Sequence, residues 1–392
     1  YITSLIYMRL IKLAVASMLL SISLTSCFKD EPENAECDIE QAYITTDDYK
    51  TMFFYASDAQ VDVPSDDKEI HFTVRSSADL TAIAPQFKLT EGATISPENG
   101  SVHDFSDPSN PVEYTVTSEN GKWSRTYKVY FDVLQEIEGA KVCDFSNYKL
   151  SNDSKYFVWY DKVDGKELRN WATGNPGFKI SNGSANWDEY PTVPTSDGEE
   201  HKNCVKLTTR RTSSLADMVK MPIAAGNLFI GTFDASNALK DAMKATHFGL
   251  PFSFKTKPVY FSGYYKYLPG EKFTNRSMKE IKDRIDEGTI YAVLYDNHDK
   301  NGKAVVLHGD DVQTSPQIVA IAILPNIGKT EEWTYFNIPF NYKKNIEAEK
   351  LTNGGYSLAV VCSSSVDGAI FQGAIGSTLW VDKIIVKCED AN

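Results

Sequence analysis

The chain has 392 residues, six cysteines and a formal net charge of −13 at pH 7. Nucleic acid and anionic membrane surfaces should repel such a chain, and no basic stripe opposes this, so nucleic-acid binding is excluded. Tyr and Phe are abundant, helical periodicity is scarce and turn residues recur about every ten positions, which together with the length predicts an all-β protein of two domains.

Residues 1–26 have the pattern of a signal peptide. Arg9 and Lys12 precede an apolar run, residues 13–25, that is too short to span a bilayer. The run ends in Leu24-Thr25-Ser26-Cys27, which resembles the lipobox of bacterial lipoproteins. This resemblance implies that Cys27 is lipidated and that an N-terminal lipid anchor holds the protein at the outer membrane. The alternative is an ordinary secretory peptide that contains a cysteine.

Residues 27–39 are predicted to be a flexible acidic tether, because they lack apolar periodicity. A lysine and several acidic residues directly after Cys27 resemble the export signal of surface-exposed lipoproteins in Gram-negative glycan foragers. That resemblance implies exposure on the cell surface, with glycan-uptake surface proteins as candidate partners. The alternative is a solvated linker whose charges serve only solubility.

Residues 40–136 are predicted to form an immunoglobulin-like β-sandwich, because short strands alternate with turn sequences over about 95 residues. The segment 85–95 and the two strands after it resemble the membrane-proximal immunoglobulin-like modules of surface glycan-binding lipoproteins, which implies a spacer. No polar cluster in this segment suggests a site. The strand patterns occur at residues 70–75, 87–89, 112–117 and 125–133.

Residues 137–392 are predicted to form a jelly roll with short helical insertions. One helix is predicted over residues 237–245. Another begins at Ser277, whose spacing to Glu280 is that of a capping box, and places Ile285 inward. The strand patterns occur at residues 204–209, 258–268, 289–295, 304–308, 317–324, 333–340, 355–362 and 378–387.

Five stretches of the second domain resemble the carbohydrate metabolism domain of bacterial lipoproteins. The resemblance implies a fold similar to carbohydrate-binding jelly rolls and a function connected with sugars. The usual acidic pair of the final strand is here Asp382-Lys383, which puts in doubt a calcium role taken over from sugar-binding modules. The stretches are residues 171–178, 249–252, 258–270, 290–295 and 376–382.

Alternation along three strands predicts a polar-aromatic surface that points away from the core. Tyr264, Tyr335 and Arg210 are the candidates on this surface, because sugars stack on aromatic rings while their hydroxyls take hydrogen bonds. The same side chains are also suited to cover apolar surface or a sheet rim. Trp333 shares the face of Tyr335.

Loops supply a second set of candidates. Trp171 and Asn175 lie in a Gly/Pro/Asn-rich segment, and Trp187 precedes a proline-rich turn. Tryptophans on loops stay partly wet and often contact ligands, although such a residue can equally pin its loop to the core.

The sequence gives little indication of a catalytic or metal-binding motif. Asn297-x-Asp299-x-Asn301-Gly302 resembles a calcium loop but lies between strands, so it is predicted to be a hairpin turn. No cysteine pair has zinc spacing, so no metal site and no cofactor are predicted, with structural calcium left open. A glycosidase needs two carboxylates across a cleft, and the sequence does not show which converge. It therefore predicts a carbohydrate-binding protein, with a glycoside hydrolase or a structural or adhesive surface protein as alternatives.

Overall fold

The computed structural model of the chain describes residues 33–64, 67–107, 110–163, 165–197, 201–235, 238 and 240–389. The predicted signal peptide and Cys27 lie outside these residues. The predicted fold class is confirmed, because a seven-stranded β-sandwich is followed by a larger two-sheet β-sandwich with short helices. No helix in the described part of the chain is long and apolar enough to cross a membrane.

The first domain packs two sheets around one core. One sheet has the order β2-β1-β4 and the other the order β3-β7-β6-β5. Alternate residues of the strands point inward, as in β7, whose Tyr127, Val129 and Phe131 are buried. The strands are β1 (Ile39–Ile44), β2 (Gln60–Asp62), β3 (Glu69–Val74), β4 (Pro85–Leu89), β5 (Thr94–Ser96), β6 (Val112–Thr117) and β7 (Ser124–Val133).

The end of the predicted tether belongs to this domain. The backbone N–H of Asn34 donates to Glu119 Oε2 at 2.7 Å, and the thiol of Cys37 lies in the core. Asp38 is paired with Arg125. Residues 33–39 are therefore held in place by the sandwich, and the predicted flexible segment extends too far.

The second domain consists of a small sheet and a large sheet that enclose the main core. The small sheet has the order β15-β16-β31-β23-β27, with β9 beside β31. Its strands are β9 (Ala140–Cys143), β15 (Thr192–Thr195), β16 (Cys204–Thr208), β23 (Pro258–Leu268), β27 (Thr330–Pro339) and β31 (Thr378–Cys388).

The large sheet has the order β14-β19-β29-β25-β26-β28, with β20 beside β19 and β21 beside β29. Its strands are β14 (Trp171–Ala172), β19 (Asn227–Phe233), β20 (Thr246–Phe248), β21 (Leu250–Pro251), β25 (Gly288–Asp296), β26 (Ile318–Ile327), β28 (Asn341–Tyr342) and β29 (Tyr356–Ser363). Five further strand pairs involve β8 (Glu136–Ile137), β10 (Tyr148–Leu150), β11 (Phe157–Trp159), β12 (Asp161–Val163), β13 (Lys166–Leu168), β17 (Arg210–Arg211), β18 (Ile223–Ala224), β22 (Ser253–Phe254), β24 (Phe273–Thr274) and β30 (Gly373–Ala374).

Both faces of the large sheet are buried. Ile290, Ala292 and Leu294 of β25 face the core between the sheets, while Tyr291 and Val293 pack under loops on the outer side. The segment 304–308, predicted as a strand, lies in this cover and forms only single bridges to other residues. Its Leu307 is fully buried against the outer side.

The helices are short and only partly as predicted. Of the predicted helix 237–245, the structure shows Ala242–Ala245, while Asn237 and Leu239 lie outside the described residues. The helix predicted from Ser277 is wrong. Asn275 Oδ1 accepts the backbone N–H groups of Ser277 and Lys279 and forms a turn instead, which leaves Ile285 exposed. The helices are α1 (Asn175–Ser181), α2 (Ser214–Met218), α3 (Ala242–Ala245) and α4 (Ala348–Thr352).

The two domains make specific polar contacts. His298 Nε2 lies 3.0 Å from Asp58 Oδ1, and its ring stacks on Tyr55 with centroids 3.5 Å apart. Arg75 donates to Asn353 Oδ1 at 3.0 Å. These contacts fix the orientation of the first domain against the large sheet.

Candidate functional site

The outer side of the small sheet carries five aromatic side chains. Alternation along β23, β27 and β31 points them away from the core, because their sequence neighbours Phe261, Phe336 and Val381 point inward. We call this surface the aromatic face and define it by Tyr260, Tyr264, Trp333, Tyr335 and Trp380.

Two predicted site residues meet at the centre of the aromatic face. Tyr264 and Tyr335 are cross-strand partners, and their ring centroids lie 5.2 Å apart. Tyr335 is 55% exposed. Tyr260, which precedes Tyr264 in β23, is 44% exposed. Large aromatic rings that stay open to water on a sheet face are typical of binding surfaces.

A buried histidine supports one end of the aromatic face. His201 stacks on Trp333 with centroids 4.0 Å apart, and its Nδ1 lies 2.6 Å from Asp382 Oδ2. Sequence reasoning missed His201, because it lies in a loop without periodicity. The alternation of β27 did place Trp333 on this side of the sheet, although it was not chosen as a candidate.

Three lysines stand over the rings. Lys266 Nζ lies 4.8 Å from the centroid of Trp380, and Lys206 Nζ approaches the same ring from the neighbouring strand at 5.8 Å. Lys383 Nζ lies 5.9 Å from the centroid of Tyr264. Distances of this size allow cation–π attraction, which holds the ammonium groups close to the aromatic face.

A β-bulge in the final strand explains the position of Lys383. The register of β31 against β23 shifts between Ser262 and Tyr264, and Lys383 has a φ of 51°. Asp382 therefore faces His201 on the outer side and Ile384 returns to the core. The acid of the final strand is engaged by a histidine.

Arg210 and Trp187 lie together at another place. The guanidinium of Arg210 donates to the backbone carbonyl of Asp188 at 3.3 Å, next to Trp187. Trp187 is 47% exposed and packs edge-on against Phe157. In the register of the small sheet, Arg210 follows Lys206 in the direction that leads away from Tyr264. The sheet therefore does not bring Arg210 close to Tyr264.

Trp171 and Asn175 do not lie on an open loop, contrary to the prediction. Trp171 belongs to β14, is 6% exposed and donates from Nε1 to Asp161 at 3.1 Å. Asn175 is fully buried at the start of α1 and exchanges two hydrogen bonds with the backbone of Thr192. Both side chains have polar partners inside the protein, so their burial favours a structural role.

Several carboxylates of the second domain have local partners. Asp310 is paired with Lys244, and Glu331 with Lys329. Glu189 accepts the backbone N–H of Asn186. These contacts stabilise loops and strand ends.

Asp286 is a buried carboxyl group whose pKa is clearly perturbed. Burial raises the pKa of Asp286, although hydrogen bonds from Ser365, Ser377 and the backbone N–H of Ala374 oppose that effect. Asp286 is fully buried, so its side chain cannot reach a sugar without rearrangement. It ties together the loops at one end of the two sheets.

The sequence that resembles a calcium loop forms a turn. Asp299 Oδ1 accepts the backbone N–H groups of Asn301 and Lys303, as predicted for a hairpin. Among the described residues, no group of three or more His, Cys, Asp or Glu side chains is placed to hold a metal ion.

A separate cavity of about 420 Å³ lies on the outer side of the large sheet. Phe178, Phe233, Phe248 and Phe371 line it together with several alanines and glycines. Its lining also contains polar side chains, among them Ser181, Asn227 and Gln313.

Comparisons with known proteins give two family matches. The family described as "Putative carbohydrate metabolism domain" matches residues 144–387, and the one described as "SGBP, N-terminal", for surface glycan-binding protein, matches residues 51–130. The resemblance seen in the sequence is thereby confirmed for both domains. A comparison with curated proteins finds no match.

Two solved structures share the fold and much of the sequence. A "putative glycoside hydrolase" from Bacteroides thetaiotaomicron is 35% identical, with a TM-score of 0.78, and the match covers 93% of this chain and 100% of that one. A "putative glycoside hydrolase" from Bacteroides vulgatus is 37% identical, with a TM-score of 0.59, and covers 65% of this chain and 100% of its own.

Proposed function

The chain belongs to the carbohydrate metabolism domain family, and we propose that it is a cell-surface lipoprotein that binds glycans on its aromatic face. The observation that supports this is the open row of rings around Tyr264 and Tyr335. Sugars present C–H groups to such rings and exchange hydrogen bonds with polar groups at their edges.

The first domain fits this role as a spacer between the cell surface and the ligand. Its match to the N-terminal family of surface glycan-binding proteins supports the predicted location. Lipidation at Cys27, attachment to the outer membrane and contact with glycan-uptake surface proteins are part of the same proposal.

A glycoside hydrolase is the second candidate, favoured by the two similar structures, each described as a "putative glycoside hydrolase". Hydrolysis needs two carboxylates that face each other across the scissile bond. On the aromatic face, Asp382 is engaged by His201, and Asp197 is paired with Lys266. We therefore favour glycan binding over hydrolysis as the function.

The test uses residues 28–392 on a glycan array and in affinity gels, with release of reducing sugar measured on each glycan retained. We expect retention by at least one polysaccharide without hydrolysis. Tyr335→Ala should lower the affinity about five- to thirty-fold, because a single aromatic anchor contributes about 1–2 kcal/mol.

Trp123→Ala is the matched control, because Trp123 is an exposed aromatic residue on the first domain, away from the aromatic face. It should bind like the wild type. Sugar release that a single Asp→Asn or Glu→Gln change abolishes would establish the hydrolase instead. Failure to bind any glycan, with capture of a protein partner, would favour the structural or adhesive role.

A further inference from the structure

The aromatic face carries several positive charges. The chain has a net charge of −13, and some surface lysines lie against carboxylates, as Lys88 does against Glu40. On the outer side of the small sheet, Lys206, Lys266 and Lys383 gather around the rings instead. Three ammonium groups therefore lie on one face of a protein whose net charge is negative.

Two of the carboxylates near these lysines are already engaged. Asp382 is buried and hydrogen-bonded to His201, and Asp197 is paired with Lys266. A bound anion would therefore not meet a free carboxylate at these two positions.

Two of the lysines have no acidic partner. Among the described residues, no carboxylate oxygen lies within 4 Å of the Nζ atom of Lys206 or of Lys383. Each ammonium group has only a ring beside it, Trp380 for Lys206 and Tyr264 for Lys383. The bulge that gives Lys383 its positive φ holds this residue at the centre of the aromatic face.

We propose that the aromatic face takes an anionic glycan, with Lys206 and Lys383 contacting its carboxylate or sulfate groups. This inference rests on the proposed function and names the class of its ligand. A neutral glycan needs rings and hydrogen-bonding groups but gains nothing from unpaired ammonium groups. An anionic glycan gains charge-assisted contacts as well as attraction to the lysines from a distance.

The experiment measures binding of residues 28–392 to two matched pairs of polymers by calorimetry. Polygalacturonate is compared with its methyl ester, and dextran sulfate with dextran, so that the pairs separate carboxylate from sulfate. At least one charged polymer should bind ten-fold or more tightly than its neutral partner. Binding should weaken several-fold when salt rises from about 50 to 200 mM, because the contacts are screened.

The double variant Lys206→Gln/Lys383→Gln should lose about ten-fold in affinity for the charged polymer and keep its melting temperature, since exposed charges contribute little to stability. Lys88→Gln, on the first domain, is the control for loss of positive charge and should bind like the wild type. Tyr264→Ala should also weaken binding, which separates a site from general attraction.

Equal binding of charged and neutral polymers, with no effect of the double variant, would overturn the inference and leave glycan binding intact. Retention of neutral glycans alone on the array would have the same meaning. Loss of all glycan binding would instead overturn the proposed function itself.

Discussion

The outer sides of the two sheets in the second domain differ in their exposure to solvent. That of the large sheet is buried under loops, where Leu307 and Val312 pack with Tyr291 and Val293. That of the small sheet is open and consists of aromatic and lysine side chains. The strands differ accordingly, since β25 is almost uniformly apolar and β27 alternates. Alternation in a strand therefore indicates an accessible surface, and its absence indicates a covered one.

The covered side should be the more sensitive to truncation. Leu307→Ala should cost about 3 kcal/mol of unfolding free energy, because it removes a fully buried side chain from the cover. Tyr260→Ala, on the open side, should cost less than about 0.5 kcal/mol. Urea unfolding of both variants tests the contrast, and equal losses would mean that the aromatic face is not open in solution.

A pair of neighbouring tyrosines tests the contrast within one strand. Tyr265 packs against the core, near Phe336, whereas Tyr264 lies on the aromatic face. Tyr265→Ala should cost roughly 3 kcal/mol of stability through the cavity it leaves. Tyr264→Ala should keep the melting temperature but lose about five- to thirty-fold in glycan affinity. If Tyr264→Ala melts early and Tyr265→Ala does not, the assignment of faces is inverted.

The first domain also has an open sheet face, and there the positively charged group, the imidazolium of His71, has acidic partners. His71 stacks on Tyr130, and its Nδ1 lies 2.6 Å from Asp132 Oδ2. Burial opposes the positive charge, but hydrogen bonds to Asp132 and Glu69 outweigh it and raise the pKa of His71 from 6.5 to about 9.

Since the folded state binds the proton more tightly, this contribution to stability is complete below pH 6.5 and is lost as pH rises through about 9. The side chain is 39% exposed, so we expect less than about 1 kcal/mol. The stability difference between wild type and His71→Gln should be largest near pH 6 and vanish near pH 10. A difference that does not change with pH would contradict the paired imidazolium.

The sequence predicted those features that depend on alternation. The inward and outward faces of β23 and β27 follow from the period of two in the sequence. This alternation predicted that Tyr264 and Tyr335 lie on one surface. Ile137, the first residue of the predicted second domain, packs in the core of that domain.

Features that depend on distant contacts were not predictable. Trp171 lies in a Gly- and Pro-rich segment that looks solvated, yet Asp161 accepts its N–H and the core buries its ring. The capping-box spacing of Ser277 and Glu280 predicted a helix, but Asn275 forms a local turn there instead. His201 reaches Trp333 and Asp382 only through the fold of its loop, which no local pattern encodes.

The five cysteines that the structure describes are all unpaired and buried. Burial raises the pKa of Cys143, Cys204 and Cys388 to about 12, and it raises that of Cys362 as well. An alkylating reagent needs an accessible thiolate, so it should modify these residues only when the surrounding strands open. Because the thiols lie in both domains, the rate at which each peptide becomes labelled would report how often each core exchanges with an open form, without an introduced cysteine.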